Sequence, residues 1–456
     1  MFYMSSKSTP KGMRDFLPED MILRNEVFAK IEAVYRKYGY RPLETPVMEY
    51  LETLRAKAGE DIEGEIFEIS KGSGRKSEKK SDAENAGESR TNKESGSGAE
   101  KNEYGLRFDL TVPLARVASN TAEPKPFKRY SISNVWRKEE PQRGRFREFW
   151  QADIDIVGSK SMRAEAEVLS VAREALVGFG FETPRILINN RKILDALVDD
   201  LDMGDNINDI LRVLDKTDKI GEAAVRTELE GIIGKKATKT VLELVKISGE
   251  NEDKLRAVEE ICPEGVAELR EIISLCNSAG FEVEVDLVVV RGLGYYTGPV
   301  FEIKLSDGIG TIAGGGRYDK LLGLYGQPDC ATGISIGIER LITLIKERNE
   351  KERGSQQPAV KTYTRVFVGC VKPEFYNYAA EVAAEFRSAG IAAETDLNER
   401  NLRKQMDYAN SLGIPFFVVV GEREEKEKKV TLKDMKSGKE DFVLVDEAIK
   451  TLKSSG

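Results

Sequence analysis

The sequence predicts an α+β protein: a strand-rich region interrupted by a helical stretch and followed by a small α/β domain. Three observations carry this. Strand-like runs joined by Pro- and Gly-containing loops extend to Asn189 and resume after Val283. Between them, apolar residues recur at helical spacing in ILDALVDDL, INDILRVLD, TKTVLELVKI and GVAELREIISL. From Lys361 onward, strand and helix patterns alternate.

Taken in order, Met21 to Tyr38 reads as an amphipathic helix, with Ile22, Val27, Phe28, Ile31 and Val34 on one face and Gly39 at the C′ position. YRPLETPVME, Tyr40 to Glu49, is strand-like, and its prolines suit an edge strand or an interface. The runs EIFEI and YGLRFDLT read as two strands of a hairpin. Between them, Lys71 to Glu103 carries Ser, Gly, Lys, Glu and Asn and no large apolar residue, so disorder is expected there. Lengthening such a tip costs about 0.6 kcal/mol per doubling, so the insert is expected to be dispensable. FKRYSISNVW and EFWQADIDIVG form strand, loop and strand, and VEVDLVVVRG returns to strand patterning. KERNEKERGSQQPAVKT is a polar linker. Beyond it come strand RVFVGCV, a helix over Tyr376 to Ser388, strand IAAETD, a helix over Leu402 to Leu412, and strand PFFVVVG. The expected divisions are 1–189 with the insert 71–103, a helical insertion 190–283, a return of the first domain over 284–346, a linker 347–360, and a terminal α/β domain 361–456.

Composition removes several chemistries. The 456 residues include no histidine, where ordinary usage would give on the order of ten. No imidazole acid/base, Ser-His or Cys-His nucleophile, or histidine metal ligand exists. Either drift or selection for synthesis independent of histidine supply accounts for this. The net charge of -8 does not advertise nucleic-acid binding, although local basic patches are compatible with it. Cys262, Cys276, Cys330 and Cys370 form no CxxC pair, which fits a reducing cytoplasm. The N-terminus lacks an apolar leader and no uninterrupted apolar run spans a bilayer, so no membrane partner is expected. A Walker A pattern and a GxGxxG after a strand are both absent.

The most informative stretch is Phe127 to Gly158, which carries Arg137, Arg143, Arg145 and Arg147 around a polar loop. Strand arginines bracketing a loop suit a phosphate-gripping site, because guanidinium stays charged and binds bidentately. From charge pattern alone, a charged, solvated hairpin is the favoured reading. The stretch closely resembles motif 2 of class II aminoacyl-tRNA synthetases. YGYRPLETPVME then resembles their motif 1, and ATGISIGIERL, Ala331 to Leu341, their motif 3. RGLGYYTGPVFE (Arg291 to Glu302) and AGGGRYD (Ala313 to Asp319) resemble the signatures of the histidyl-tRNA synthetase family. The opening TPKGMRDFLPED and the run LRFDLTVPLAR also look like that family's, and the resemblance covers the chain outside the insert.

The resemblance implies a class II catalytic domain with an antiparallel sheet and flanking helices, a helical insertion domain and an anticodon-binding α/β domain. It implies histidine activation by ATP with Mg2+, transfer to tRNA(His), and a homodimer. It assigns Arg137 to the α-phosphate and the attacking carboxylate, and Arg291 as a second cation at the α-phosphate. Glu139 would contact adenine and Mg2+, Phe149 would stack on adenine, and Arg340 would lie against its other side. Arg145 would reach the γ-phosphate. Asp109, Thr111 and Gln151 match ammonium contacts, and Asp155 and Tyr296 ring contacts, with Tyr295 adjacent. Gly314, Gly315 and Gly316 would let the backbone approach the ligand. Gln142 would touch the acceptor end of tRNA. Gly294 stands where the family pattern suggests aspartate. The rival is a non-catalytic paralogue, such as a regulatory subunit of ATP phosphoribosyltransferase; the retained arginines and terminal domain argue against it.

Overall fold

The computed structural model describes residues 8–56, 64–69, 103–200, 209–210, 213–214, 221–245, 247–289, 295–305, 309–353 and 360–455. The expectation of a disordered insert therefore lies outside the described residues apart from Glu103, as do Arg291, Gly294 and most of INDILRVLD. Packing divides the chain into two compact units, Met1–Arg14 with Lys30–Ile345, and Asp15–Ala29 with Lys346–Gly456.

Helix α1 (Pro18–Lys37) ends as the sequence predicts. Gly39, at φ +79°, donates to the Arg36 carbonyl at 2.9 Å, and Tyr40 N–H reaches the Tyr35 carbonyl at 3.1 Å. This is the Schellman arrangement, which needs the left-handed residue that glycine supplies. The next run is strand in two short pieces only, β1 (Arg41–Pro42) and β2 (Met48–Tyr50). Pro42 and Pro46 donate no N–H, so Pro42 pairs only as the last residue of β1, opposite Tyr130, and Pro46 lies outside the strands.

The flanks of the insert, β3 (Glu68–Ile69) and β4 (Tyr104–Leu106), pair antiparallel as expected. The helix α2 (Thr111–Ala118) follows. The long hairpin is β5 (Phe127–Trp136) and β6 (Glu148–Val157). After helix α3 (Arg163–Val177) comes β7 (Arg185–Asn190). The chain then leaves the sheet for helices that include Glu222–Val245, kinked at Gly234, and α4 (Pro263–Ser278), and returns as β8 (Glu284–Val285). Among its described residues, VEVDLVVVRG is thus strand over Glu284–Val285 only. The Asp286 side chain accepts from Val288 N–H at 3.0 Å and its carbonyl from Val289 N–H at 3.0 Å, a turn that competes with the ladder.

Strands β9 (Pro299–Lys304), β10 (Thr311–Arg317) and β11 (Ala331–Gly337), followed by helix α5 (Ile338–Arg353), complete the unit. The eight-stranded sheet runs β1-β5-β6-β11-β10-β9-β7-β8, antiparallel except for the parallel pairs at each end. Directly opposed residues share a face. One face carries Ile154, Ile334 and Phe301, all buried, with α3 packed against β11 and α4 against β7. Each such side chain contributes roughly 1.5–3 kcal/mol by leaving water. The opposite face is polar and builds the site.

The second unit holds a mixed five-stranded sheet ordered β13 (Ala393–Thr395), β12 (Val366–Cys370), β14 (Phe416–Val420), β15 (Lys429–Asp434) and β16 (Glu440–Leu444). Helices α6 (Tyr376–Ser388) and α8 (Val445–Ser454) cluster with Val366, Val368 and Val418. On the other side, Ala409 of α7 (Leu402–Ser411) packs with Phe367 and Phe417.

Candidate active site

The polar face floors a cleft of about 1520 Å3. Strand register orders its side chains into rows. In the deepest, Arg129, Asp155, Gly333 and Gly316 stand opposite one another on β5, β6, β11 and β10. The Arg129 guanidinium lies 2.7 Å from Asp155 Oδ2 and donates to the Leu110 carbonyl at 2.9 Å. The Tyr318 hydroxyl donates to Asp155 Oδ1. A Cβ at Gly333 would sit 2.0 Å from that same oxygen, so the missing side chain makes room for the carboxylate. Burial raises the Asp155 pKa, opposed by Arg129 and Tyr318.

The second row is Ser131, Asp153, Ser335, Gly314 and Glu302, and the third is Ser133, Gln151 and Gly337. Gln151 Nε2 donates to Ser335 Oγ at 2.7 Å, while its buried Oε1 has no hydrogen-bond partner among the described residues. Burial pushes Asp153 up to about 7, with Arg129 opposing.

Asp109 closes this end. It stands just ahead of α2, where Oδ1 accepts from Val112 N–H at 3.1 Å and Oδ2 from the Tyr295 hydroxyl at 3.3 Å. Its pKa is pushed up to about 6 by burial, with Val112 N–H, Arg137 and Tyr295 pulling the other way. Thr111, Tyr295 and Tyr296 line the wall beside it, the two rings meeting edge-on at 4.9 Å.

The other end is built from arginines. Arg137 leaves β5 with Nε on the Phe108 carbonyl at 2.9 Å and its guanidinium 5.3 Å from the Phe149 ring centre. Glu139 lies 4.0 Å from Arg137 and 3.5 Å from Arg145. Gln142 and Arg145 exchange backbone hydrogen bonds at 3.0 and 2.8 Å, a tight turn permitted by Gly144 at φ +70°. A Cβ on Gly144 would lie 3.1 Å from Arg340 Cγ, so the turn rests on α5. Arg340 itself donates to the Thr311 carbonyl.

The opening of the chain braces this loop. The Gly12 carbonyl accepts from Arg147 N–H at 2.9 Å. The Arg14 guanidinium lies 3.3 Å over the Phe146 ring and pairs with Glu339 at 2.5 Å. A cation on an aromatic face plus an ion pair to a nearly buried carboxylate ties loop to helix.

Of the residues named from sequence, Asp109, Thr111, Arg137, Glu139, Gln142, Arg145, Phe149, Gln151, Asp155, Tyr295, Tyr296, Gly314, Gly315 and Arg340 line this one cleft. Arg291 lies outside the described residues. At two of these glycines the protein's own packing adds a constraint. A Cβ on Gly315 would lie 1.9 Å from the Gly333 carbonyl oxygen, and one on Gly316 would lie 2.6 Å from the Pro299 carbonyl and 2.9 Å from the Tyr296 ring. Packing within the protein demands glycine there. Sequence reading missed Arg129, Asp153, Tyr318, Ser335 and Arg14. Alternation in QADID, which puts Gln151, Asp153 and Asp155 on one face, was the available signal for Asp153.

The profile of the histidyl-tRNA synthetase family matches residues 12–78 and 89–341. The chain belongs to the histidyl-tRNA synthetase family. Its residues 365–455 match the anticodon binding domain profile. It is 40% identical over 439 residues to a histidine–tRNA ligase of Korarchaeum cryptofilum, covering 93% of this chain and 94% of the relative. To that of Aeropyrum pernix it is 39% identical, covering 97% of each. The fold is similar to the crystal structure of histidyl-tRNA synthetase from Nostoc sp. PCC 7120, with a TM-score of 0.78, 30% identity, and 99% and 100% of the two chains covered. The class II α+β architecture expected from the signature motifs is therefore the one this synthetase chain adopts.

Proposed function

We propose that this cleft activates L-histidine with ATP, giving histidyl-adenylate and pyrophosphate, and then passes the histidyl group to the 3′ end of tRNA(His). The observation that carries the reading is the pairing of two opposite chemistries in one cavity. Guanidinium groups from separate segments, Arg137, Arg145 and Arg340, gather at one end, and buried acceptors, Asp109, Asp155 and Gln151 Oε1, at the other.

In adenylation, a carboxylate oxygen of histidine attacks the α-phosphorus, and the bond to the bridging oxygen breaks so that pyrophosphate leaves with the electron pair. The protein supplies position and positive charge. Arg137 holds the α-phosphate and the attacking carboxylate. Phe149 stacks on adenine, Glu139 contacts its edge, and Arg340 lies on its far side. Arg145 takes the γ-phosphate, and Arg291 adds a second cation at the α-phosphate. Asp109, Thr111 and Gln151 receive the ammonium, and Asp155 and Tyr296 the imidazole nitrogens, with Tyr295 holding Asp109. Ligands lacking those donors leave buried acceptors unpaired and are rejected.

Magnesium enters with ATP as counterion to its phosphates. Glu139 is the carboxylate suited to share it, since among the described residues no three metal-binding side chains cluster to hold an ion alone. For the transfer step the chain offers no imidazole, so an adenylate phosphate oxygen takes the ribose hydroxyl proton. Gln142, at the turn of the loop, meets the acceptor end. The terminal domain reads the anticodon by base contacts and shape rather than bulk charge.

The enzyme works as a homodimer in the cytoplasm. Val47, Met48, Tyr50 and Ile69 are exposed on and beside the small sheet of β2, β4 and β3, an apolar surface suited to a second copy. All four cysteines are buried and unbridged, and no helix among the described residues is long and apolar enough to cross a membrane. ATP–pyrophosphate exchange with each amino acid in turn tests the reading. Exchange with histidine alone is expected; silence with all of them defeats it.

A further inference from the structure

Gln151 presents a puzzle of direction. Its amide has a donor end and an acceptor end of nearly equal shape, and only the acceptor end suits an ammonium. The cleft contains a device that chooses between them. Asp153 and Ser335 are opposed across β6 and β11, and Gln151 is opposed to Gly337, which has no side chain to block it. The Gln151 amide therefore reaches along the face to Ser335, where Nε2 donates to Oγ at 2.7 Å.

Ser335 has one proton to give and stands directly opposite Asp153 on the neighbouring strand, with both side chains on the cleft face. When ionised, Asp153 donates nothing, so the hydroxyl proton turns toward it. Only oxygen lone pairs are then left for Gln151, which must offer N–H to Ser335 and turn Oε1 into the cleft. That oxygen is buried and has no partner among the described residues. Asp153 is itself 3% exposed, and its Oδ1 also has no hydrogen-bond partner among the described residues. Arg129 on β5 stabilises its charge, while Asp155 on the same strand and Asp109 beside α2 oppose it.

We propose that Asp153, acting through Ser335, fixes the orientation of the Gln151 amide so that an acceptor meets the ammonium of the amino-acid substrate. The inference rests on the histidine-activating reading of the cleft. Asp153 is a positioning residue: without it the Ser335 proton is free to turn to Gln151 Oε1, and the amide flips its N–H2 toward a cation.

The test is histidine-dependent ATP–pyrophosphate exchange with the full chain and its Asp153→Asn, Ser335→Ala and Gln151→Ala variants, singly and in pairs. Asp153→Asn and Ser335→Ala are each expected to raise the histidine KM roughly tenfold, the scale of one hydrogen bond lost. The ATP KM should stay within about twofold, because no group of the relay faces the phosphates. On the Gln151→Ala background neither substitution should add a further loss. A Ser335→Ala enzyme with unchanged histidine KM overturns the relay. So does an Asp153→Asn effect that persists in full without Gln151, which would make Asp153 a direct ligand. If Asp153→Asn fails to fold, Ser335→Ala alone decides. Absence of histidine-dependent exchange in the unaltered chain defeats the underlying reading; normal exchange with insensitive variants defeats only the relay.

Discussion

At the arginine end of the cleft the charged groups keep much of their water: the Arg145 side chain is 36% exposed, Glu139 27% and Arg137 21%. At the amino-acid end, Asp109 is 2% exposed and Asp153 3%. The difference fits the work proposed for each end. A triphosphate changes shape and charge as pyrophosphate leaves, and half-solvated guanidinium groups on a turn can follow it at little cost. A small cationic ligand is told from its competitors by buried acceptors that it alone satisfies, and these must be held fixed and dry. The pKa directions report the same division: burial lifts Asp109 to about 6 and Asp153 to about 7.

Removing the group where the two ends meet should do the most damage. Arg137→Ala is expected to lower exchange turnover about 10³-fold, the scale of losing a preorganised charge at the reacting centre. A loss under tenfold would move the chemistry elsewhere. Asp109→Asn should raise the histidine KM about a hundredfold and leave the ATP KM nearly unchanged, since it removes a charge-assisted contact from the dry end only. Equal effects on both constants would break the contrast between ends. Arg145→Ala, at the wet end, should raise the ATP KM about tenfold or less and spare the histidine KM.

The contrast also predicts a pH response. The Asp109 pKa rises from the ordinary 3.8 to about 6 in the folded chain. Its contribution to stability is therefore present in full below about pH 4 and lost as pH rises through about 6. In the proposed site the ionised form meets the histidine ammonium, so affinity is expected to run the other way and to fall as pH drops through 6. Thermal midpoints and histidine titrations between pH 5 and 8 should move in opposite directions, and Asp109→Asn should remove the part of each change centred near pH 6 while leaving that of Asp153 near 7. The smallest effect is expected from deleting Gly72 to Asn102: exchange within about twofold of the intact chain. Abolished catalysis with an intact fold would give the insert a role.

Much of the local architecture was legible. The strands around the arginine-bearing loop and helix Tyr376–Ser388 lie where periodicity puts them. What stayed hidden depends on register between distant segments. Nothing local says that Asp155 will face Gly333, or Asp153 face Ser335, because those pairings arise when β6 meets β11. The brace from Gly12 and Arg14 to the loop is equally non-local. Strands β15 and β16 escaped because Lys429–Asp434 and Glu440–Leu444 carry charges along a sheet margin rather than an apolar run. VEVDLVVV misled in the other direction, since buried Asn189 donates to the Leu287 and Val289 carbonyls and holds that apolar run in a turn.

The space left by the absent side chain at Gly333 is already taken by an oxygen of Asp155. Anyone re-tooling this enzyme for a non-natural heterocycle would find the floor closed to enlargement of residue 333, even by one methyl. Useful libraries must instead vary the carboxylate at 155 together with its clamps, Arg129 and Tyr318, treating the three as one exchangeable cassette.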